Sequence, residues 1–295
     1  MTRVGPAPDA GAGLPASRSR RLPRARARGG VLDTLAGVRI ARFTRDDDIS
    51  YGFVEGEPGE ERLHVVGGDP LYSKLTPTGA VVGLDEVRLL APVIPRSKVV
   101  GIGRNYRDHA REMGNELPSK PLMFLVPNTA VVGPDDPVVL PSFSEQVSYE
   151  GELAVVIGRI CKDVPRERVG EVVYGYTCAN DVTARDAQKS DGQWARAKGF
   201  DSSCPLGPWI TTDLDPSSLS LRTRVDGELV QDGRTSDMVF DVPSLVEAVS
   251  AAFTLLPGDV ILTGTPAGVG LLTAGQRVDV EIEGIGTLSN PVVAR

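Results

Sequence analysis

Histidine, cysteine and long apolar runs are scarce in this chain. Its 295 residues include two histidines, His64 and His109, and three cysteines, Cys161, Cys178 and Cys204. An odd number of cysteines with no Cys-x-x-Cys spacing indicates neither a zinc module nor a disulfide framework and points to a reducing compartment, so a cytoplasmic location is expected. Two histidines leave few ways to build a His-rich metal site or a Ser-His-Asp triad. No stretch approaches the roughly 18 consecutive apolar residues of a membrane helix, so no membrane association is expected. Nucleotide motifs are missing too. Gly101-Ile-Gly103 lacks the third glycine of a dinucleotide fingerprint, and no Gly-x-x-x-x-Gly-Lys-Ser/Thr occurs, which excludes the common nucleotide-dependent enzymes.

Aromatic residues make up 5% of the chain, whereas 33 glycines and 23 prolines suggest many turns and short strands rather than a helical bundle. The net charge of −7 is uneven: residues 1–30 hold seven arginines and one acid, a net +6, which leaves about −13 for the rest. An acidic body argues against nucleic acid as the main partner and suits carboxylates gathered around a cation.

The Arg-, Gly-, Ala- and Pro-rich start cannot bury a core, so residues 1–37 are expected to form a disordered arm. Short alternating segments follow: 38–43, 49–54 and 62–66 read as strands of a small β-rich N-terminal domain spanning 38–95. The prolines of Ala91-Pro-Val-Ile-Pro95 mark its end. A second domain, 96–295, begins with a buried strand over 98–102, a short helix over 105–113 and a strand over 122–126. Further strands are predicted over 152–157, 172–178, 219–225, 228–231, 260–262, 278–282 and 286–293, with Asp226-Gly227 as a two-residue hairpin turn. Val242 to Leu256 reads as the clearest helix, with Pro243 in its first turn and Leu245, Val249 and Ala252 on one face. The predicted class is α+β and β-dominated, without a regular βαβ alternation.

Tyr149-Glu150-Gly151-Glu152 leads straight into Leu-Ala-Val-Val-Ile. Residues i and i+2 of a strand share a face, so two carboxylates would stand side by side and repel unless a cation or protons intervene. Asp181 ends a further apolar strand, behind Asn180. Three carboxylates without cysteine or histidine beside them favour Mg²⁺ or Mn²⁺ over zinc. His109 and Glu112 are i, i+3 neighbours on the short helix, where the carboxylate can orient the imidazole. Ala197 to Trp209 reads as a loop in which Lys198 can stabilise a developing oxyanion. Leu262 to Gly270 follows a strand, and its N–H groups with the Thr265 hydroxyl could cradle a carboxylate. Each of these, taken singly, also has an ordinary structural reading as a surface pair, a solvated lysine or a turn.

Together they resemble the fumarylacetoacetate hydrolase family from about residue 98 to 293. The resemblance rests on Gly103-Arg-Asn-Tyr-Arg-Asp-His109, Tyr149-Glu-Gly-Glu-Leu-Ala-Val-Val-Ile-Gly158, Gly175-Tyr-Thr-Cys-Ala-Asn-Asp-Val-Thr-Ala-Arg-Asp186, Lys198-Gly-Phe-Asp201 and Leu256 to Gly270. It implies a mixed β-sandwich roll as catalytic domain, a homodimer, and Mg²⁺ or Mn²⁺ acting on a small 2-oxo acid. It assigns Glu150, Glu152 and Asp181 to the metal and His109, Glu112 and Lys198 to catalysis. Arg104, Tyr106, Gln188, Gly264 and Thr265 fall to substrate binding. Ser148 departs from the pattern, because many relatives carry an acid or histidine just before the Tyr-Glu-x-Glu segment.

The expected activity is metal-dependent hydrolysis of a C–C bond in an acylpyruvate or fumarylpyruvate-like acid through a metal-stabilised enolate. Isomerisation of a 2-hydroxyhepta-2,4-diene-1,7-dioate or 5-carboxymethyl-2-hydroxymuconate type of diacid, as in aromatic catabolism, and oxaloacetate decarboxylation share that enolate. A non-catalytic metal-binding protein is the reading from another class.

Overall fold

The protein is described from a computed structural model covering residues 1, 2, 5 and 37–295. The expected arm therefore lies almost wholly outside the described residues. Nineteen strands follow in the order β1 (Arg39–Arg45), β2 (Asp48–Glu55), β3 (Arg62–Gly67), β4 (Thr76–Gly83), β5 (Arg88–Leu90), β6 (Val99–Gly103), β7 (Leu122–Val126), β8 (Val131–Val132), β9 (Val138–Leu140), β10 (Val147–Ser148), β11 (Gly151–Ile157), β12 (Val173–Asn180), β13 (Thr183–Ala184), β14 (Cys204–Thr211), β15 (Ser220–Val225), β16 (Glu228–Arg234), β17 (Val260–Leu262), β18 (Arg277–Ile282) and β19 (Gly286–Ala294). Among the described residues four short α-helices accompany them: α1 (Arg107–Glu112), α2 (Arg185–Ser190), α3 (Ala195–Lys198) and α4 (Val242–Ala252). The molecule is β-dominated with mixed sheets, as expected.

One sheet runs β4-β3-β2-β1-β14-β12-β11-β17-β6-β7, with β5 on β1 and β8 on β14. Because β1 pairs directly with β14, the N-terminal strands continue the sheet of the larger region. A second sheet runs β16-β15-β18-β19-β9, and β10 pairs with β13 alone. Strand β11 explains the layering. All seven of its residues are buried, which is the signature of a strand covered on both faces. Leu153, Val155 and Ile157 join a core with Leu221, Val280 and Leu288 of the second sheet and Leu245 and Val249 of α4. Ala154 and Val156 point the other way, into a core with Leu206, Val260 and Leu262.

Three predicted elements change shape or length. The segment read as a loop, Ala197 to Trp209, contains the end of α3 and most of β14, a fully buried central strand. Pro205 and the cis Gly207–Pro208 bond disguise it, since proline cannot donate to a ladder, and the β12–β14 register shifts at that point. The helix expected to reach Leu256 stops at Ala252: Phe253 is extended, and Leu255 bridges to Cys161. The start of α4 follows the prediction, with Pro243 in the first turn and the Asp241 side chain accepting from the Ser244 N–H at 3.1 Å. Helix α1 is shorter than the predicted 105–113 because Asn105 sits before it, and its side chain is fully engaged elsewhere. The three cysteines are free and buried. Among the described residues no helix is long and apolar enough to cross a membrane.

Candidate functional site

The site is assembled by the β11–β12 ladder. Gly151 is paired with Asn180 and Glu152 with Ala179, so the residues just outside the ladder, Glu150 and Asp181, stand opposite each other, joined by the Asp181 N–H donating to the Glu150 carbonyl at 2.9 Å. Asn180 steadies the turn by accepting the Glu150 N–H at 2.9 Å through Oδ1. Parallel pairing of β17 with β6 then brings the loop after Leu262 beside the start of α1. Gly264, at φ +97°, lies so close to Asn105 that a Cβ there would sit 2.8 Å from the Asn105 Cβ. That close approach lets the Gly264 N–H donate to Glu152 Oε2 at 2.6 Å.

Glu150, Glu152 and Asp181 are all buried, and one carboxylate oxygen from each falls within 4.8 Å of the others. Lys198 Nζ donates to Glu150 Oε2 at 2.8 Å and to Asp181 Oδ2 at 2.6 Å, while Arg185 Nη2 lies 2.6 Å from Glu150 Oε1. Two cations thus face three carboxylates, and the imbalance shows in the protonation. Burial alone would raise Glu150, but Lys198 and Arg185 hold it down at about 2. Burial and the neighbouring Asp181 and Glu150 push Glu152 well above the usual carboxylate range. Asp181 is lifted to about 6 by burial, against the pull of Lys198 and with Glu150 adding to the rise. Burial disfavours the Lys198 ammonium, yet Asp181 and Glu150 keep its pKa above the ordinary value. Asp181 Oδ1 is buried with no hydrogen-bond partner. One surplus negative charge, an orphaned carboxylate oxygen and three hard oxygen donors fit a divalent cation of the oxygen-preferring kind.

Glu150 and Glu152 open on a cavity of 320 Å³. Arg104, His109, Glu150, Glu152, Gln188, Lys198 and Thr265 of the predicted set line it. Asp181 and Gly264 reach it through Lys198 and Glu152, as described. Glu112 stands behind His109, with Oε2 3.3 Å from His109 Nδ1, and both its carboxylate oxygens accept from the Gly268 N–H at 3.2 Å. Helix α1 is thereby fastened to the loop after β17. Tyr106 is not on this cavity. It is 2% exposed, packs in the main core and borders a separate hollow with Asp237 and Pro266.

Sequence reasoning did not single out Arg185, Lys189 and Trp194, which also line the cavity. Arg185 carried a signal, since three buried carboxylates and one lysine leave charge to be balanced and this arginine follows Asp181 by four residues. Its Nη2 also donates to the Ser148 hydroxyl at 3.2 Å, the position noted as a departure. Trp194 packs edge-on against Phe124, 5.3 Å between ring centres, and Lys198 Nζ lies 5.2 Å from the same Phe124 ring.

Comparison with known proteins agrees with this arrangement. The profile of the fumarylacetoacetate (FAA) hydrolase C-terminal family matches residues 98–293, and that of the Rv2993c-like N-terminal family matches 38–92. A solved 2-hydroxyhepta-2,4-diene-1,7-dioate isomerase from Mycobacterium marinum is 50% identical, with a TM-score of 0.81 over 88% of this chain and 99% of that one. Oxaloacetate tautomerase YisK from Bacillus subtilis is 44% identical over 71% of this chain and 74% of its own. A fumarylpyruvate hydrolase from Pseudomonas aeruginosa, solved with Mn²⁺ and pyruvate, is 36% identical, with a TM-score of 0.65 over 68% of this chain and 91% of that one. With two thirds of its length matched by the catalytic-domain profile and the acidic cluster in place, the chain belongs to the fumarylacetoacetate hydrolase family of enzymes.

Proposed function

We propose that this enzyme uses Mg²⁺ or Mn²⁺ to cleave a C–C bond in an acylpyruvate or fumarylpyruvate-like 2-oxo acid by hydrolysis. The observation that carries the reading is His109, on the wall of the cavity that Glu150 and Glu152 line, with Glu112 behind it at 3.3 Å. A divalent ion held by Glu150, Glu152 and Asp181 would supply Lewis-acid polarisation of the 2-oxo group. Arg104 and Gln188 offer hydrogen bonds to the carboxylate at the far end of the substrate. Lys198, held as an ammonium, offsets negative charge that develops on the oxo oxygen.

His109, oriented by Glu112, takes a proton from water as its oxygen attacks the distal carbonyl carbon. The bond between that carbon and C3 then breaks, its electron pair moves onto the pyruvate fragment as the enolate, and the imidazolium returns the proton to C3. A carboxylic acid and pyruvate result. The solved Pseudomonas fumarylpyruvate hydrolase with Mn²⁺ and pyruvate supports the choice of ion and of product by similarity.

A second reading, proton transfer between enol and keto forms of a diacid without bond cleavage, is favoured by the Mycobacterium isomerase and the Bacillus tautomerase. It uses the same residues but needs no attacking water. A panel of acylpyruvates, fumarylpyruvate-like acids and enol oxaloacetate, assayed with Mg²⁺, with Mn²⁺ and with chelator, separates the two. Chelator-sensitive release of pyruvate together with a carboxylic acid from an acylpyruvate or fumarylpyruvate-like acid is the expected result; pyruvate from oxaloacetate alone marks decarboxylation and speaks against hydrolysis. Loss of enol absorbance without pyruvate carries the second reading, and no metal-dependent turnover of any member overturns both.

A further inference from the structure

The Thr265 hydroxyl, expected to cradle the substrate carboxylate, has its proton engaged elsewhere. Its Oγ1 donates to the Gly151 carbonyl at 2.8 Å and accepts from Gln231 Nε2 at 2.8 Å. A hydroxyl has one proton, so what remains toward the cavity is an acceptor, which an anionic carboxylate does not want. The loop's main-chain N–H groups are then the donors suited to an anion, and the hydroxyl serves as a strut. Gly264 donates its own N–H to Glu152, Gly268 donates to Glu112 and Pro266 has none, which leaves, from Gly264 to Gly268, those of Thr265 and Ala267.

Gln231 completes that strut. It is 1% exposed, its Oε1 accepts the Gly151 N–H at 3.0 Å, and its Nε2 also donates to the Pro266 carbonyl at 2.8 Å. One amide therefore ties the residue between Glu150 and Glu152 to two successive residues of the loop after β17. A local irregularity in the hairpin puts it there. Val225 pairs with Glu228 and Arg224 with Leu229, so regular pairing would set Val230 opposite Thr223, but the register shifts and Gln231 takes that place. A one-residue shift exchanges which side chain faces inward. The bulge thus brings a glutamine, in place of a valine, to the fully buried face shared with Thr223.

We infer that Gln231 is a positioning residue that fixes the spacing between the acidic strand and the loop that receives the substrate carboxylate. The inference rests on the metal and 2-oxo acid reading above and assigns to Gln231 the binding of the organic anion rather than of the ion. The loop would lose its anchor in Gln231→Met, which removes all three hydrogen bonds, and in Gln231→Glu, which keeps the size and the acceptor but loses both donors.

The test uses the full chain and two successive calorimetric titrations, first with Mn²⁺ and then, on the Mn²⁺-loaded protein, with oxalate as a planar stand-in for the carboxylate and 2-oxo oxygens. Both Gln231 variants should bind Mn²⁺ within about threefold of the parent and oxalate about tenfold or more weakly, as expected when a buried hydrogen-bonded anchor is lost. Thr265→Val should weaken oxalate to a similar degree, and the double variant Gln231→Met/Thr265→Val should be no worse than either alone, because the two act as one unit. Parent-like oxalate affinity in the folded Gln231→Glu protein would overturn the inference while leaving the metal reading intact. Equal loss of Mn²⁺ and oxalate binding would make Gln231 a general structural support and also overturn it. A parent that binds no Mn²⁺ would overturn the metal reading, and this inference with it.

Discussion

Glu150 and Asp181 face each other at the end of the β11–β12 ladder, and a single ammonium, Lys198 Nζ, lies 2.8 Å from the first and 2.6 Å from the second. The two acids are 31 positions apart in sequence and brought together by register alone, with Gly151 paired to Asn180. Lys198 therefore balances charge that the ladder has no way to separate.

Removing that ammonium leaves two buried carboxylates facing each other. Lys198→Met should destabilise the metal-free protein by about 3–5 kcal/mol, the usual scale for breaking a buried ion pair from one side. Added Mn²⁺ should recover more stability in the variant than in the parent. Denaturant titrations with and without the ion check this, and equal stability of parent and variant in chelator would speak against it.

The protonation of the site gives a pH dependence with a definite sign. Burial lifts Asp181 to about 6 and Glu152 well above the usual range, so the metal-free fold holds protons that the unfolded chain releases. The stability this contributes is complete below the unfolded carboxylate value of about 4; the share of Asp181 is lost as pH rises through about 6, and that of Glu152 as pH rises through its own raised value. Glu150, held at about 2, works in the opposite direction and only in strong acid. A divalent ion takes the deprotonated form, so the increase in melting temperature caused by Mn²⁺ should grow from about pH 4.5 to pH 7, with protons released on binding. A shift that stays constant across this range would contradict the assignment.

Gly151 links the fold to the site in a second way. A Cβ there would come 2.1 Å from the Thr223 hydroxyl on the second sheet, so the acidic strand is pressed against that sheet with no room for a methyl group. Gly151→Ala should cost about 1–3 kcal/mol through overpacking and weaken Mn²⁺ binding by shifting the glutamates on either side. A melting curve and a metal titration on the same sample measure both effects.

Most of this site was legible because its residues sit where short apolar strands end. Glu150, Glu152 and Asp181 flank runs whose hydrophobicity marks them as buried strands, and charge at such a boundary stands out. The parts that escaped are those set by tertiary pairing. Proline and glycine hid β14, although it is central. β4 escaped because six of its eight residues are exposed, leaving no alternation to read. Gln231 owes its inward direction to a register shift that no local pattern announces. Tyr106, in the same short string as Arg104 and His109, was expected to share their role; the strand-like bridge it forms with Met238 turns it into the core instead.

The His109–Glu112 pair is predicted to act in chemistry rather than in metal binding. His109→Ala and Glu112→Gln should each lower kcat for hydrolysis by about 10²–10⁴-fold, the usual worth of general-base assistance, with Mn²⁺ affinity unchanged. Glu112→Gln keeps a side chain able to meet the Gly268 N–H, so its loss would reflect charge rather than closure of α1. Any decarboxylation of oxaloacetate should suffer less, because no water attacks. Both variants hydrolysing at the parent rate would reduce the pair to an ordinary helix contact.

The central claim is that Glu150, Glu152 and Asp181 form a divalent-cation site. Calorimetric titration of Mn²⁺ into the parent and into Asp181→Asn tests it most directly, because Asp181 Oδ1 has no other partner and the change removes one charge at nearly constant volume. The account predicts saturable one-site binding in the parent and, in a variant that retains its fold, binding weakened by at least about tenfold, a loss shared by Glu152→Gln. Unchanged Mn²⁺ affinity in both folded variants would contradict it.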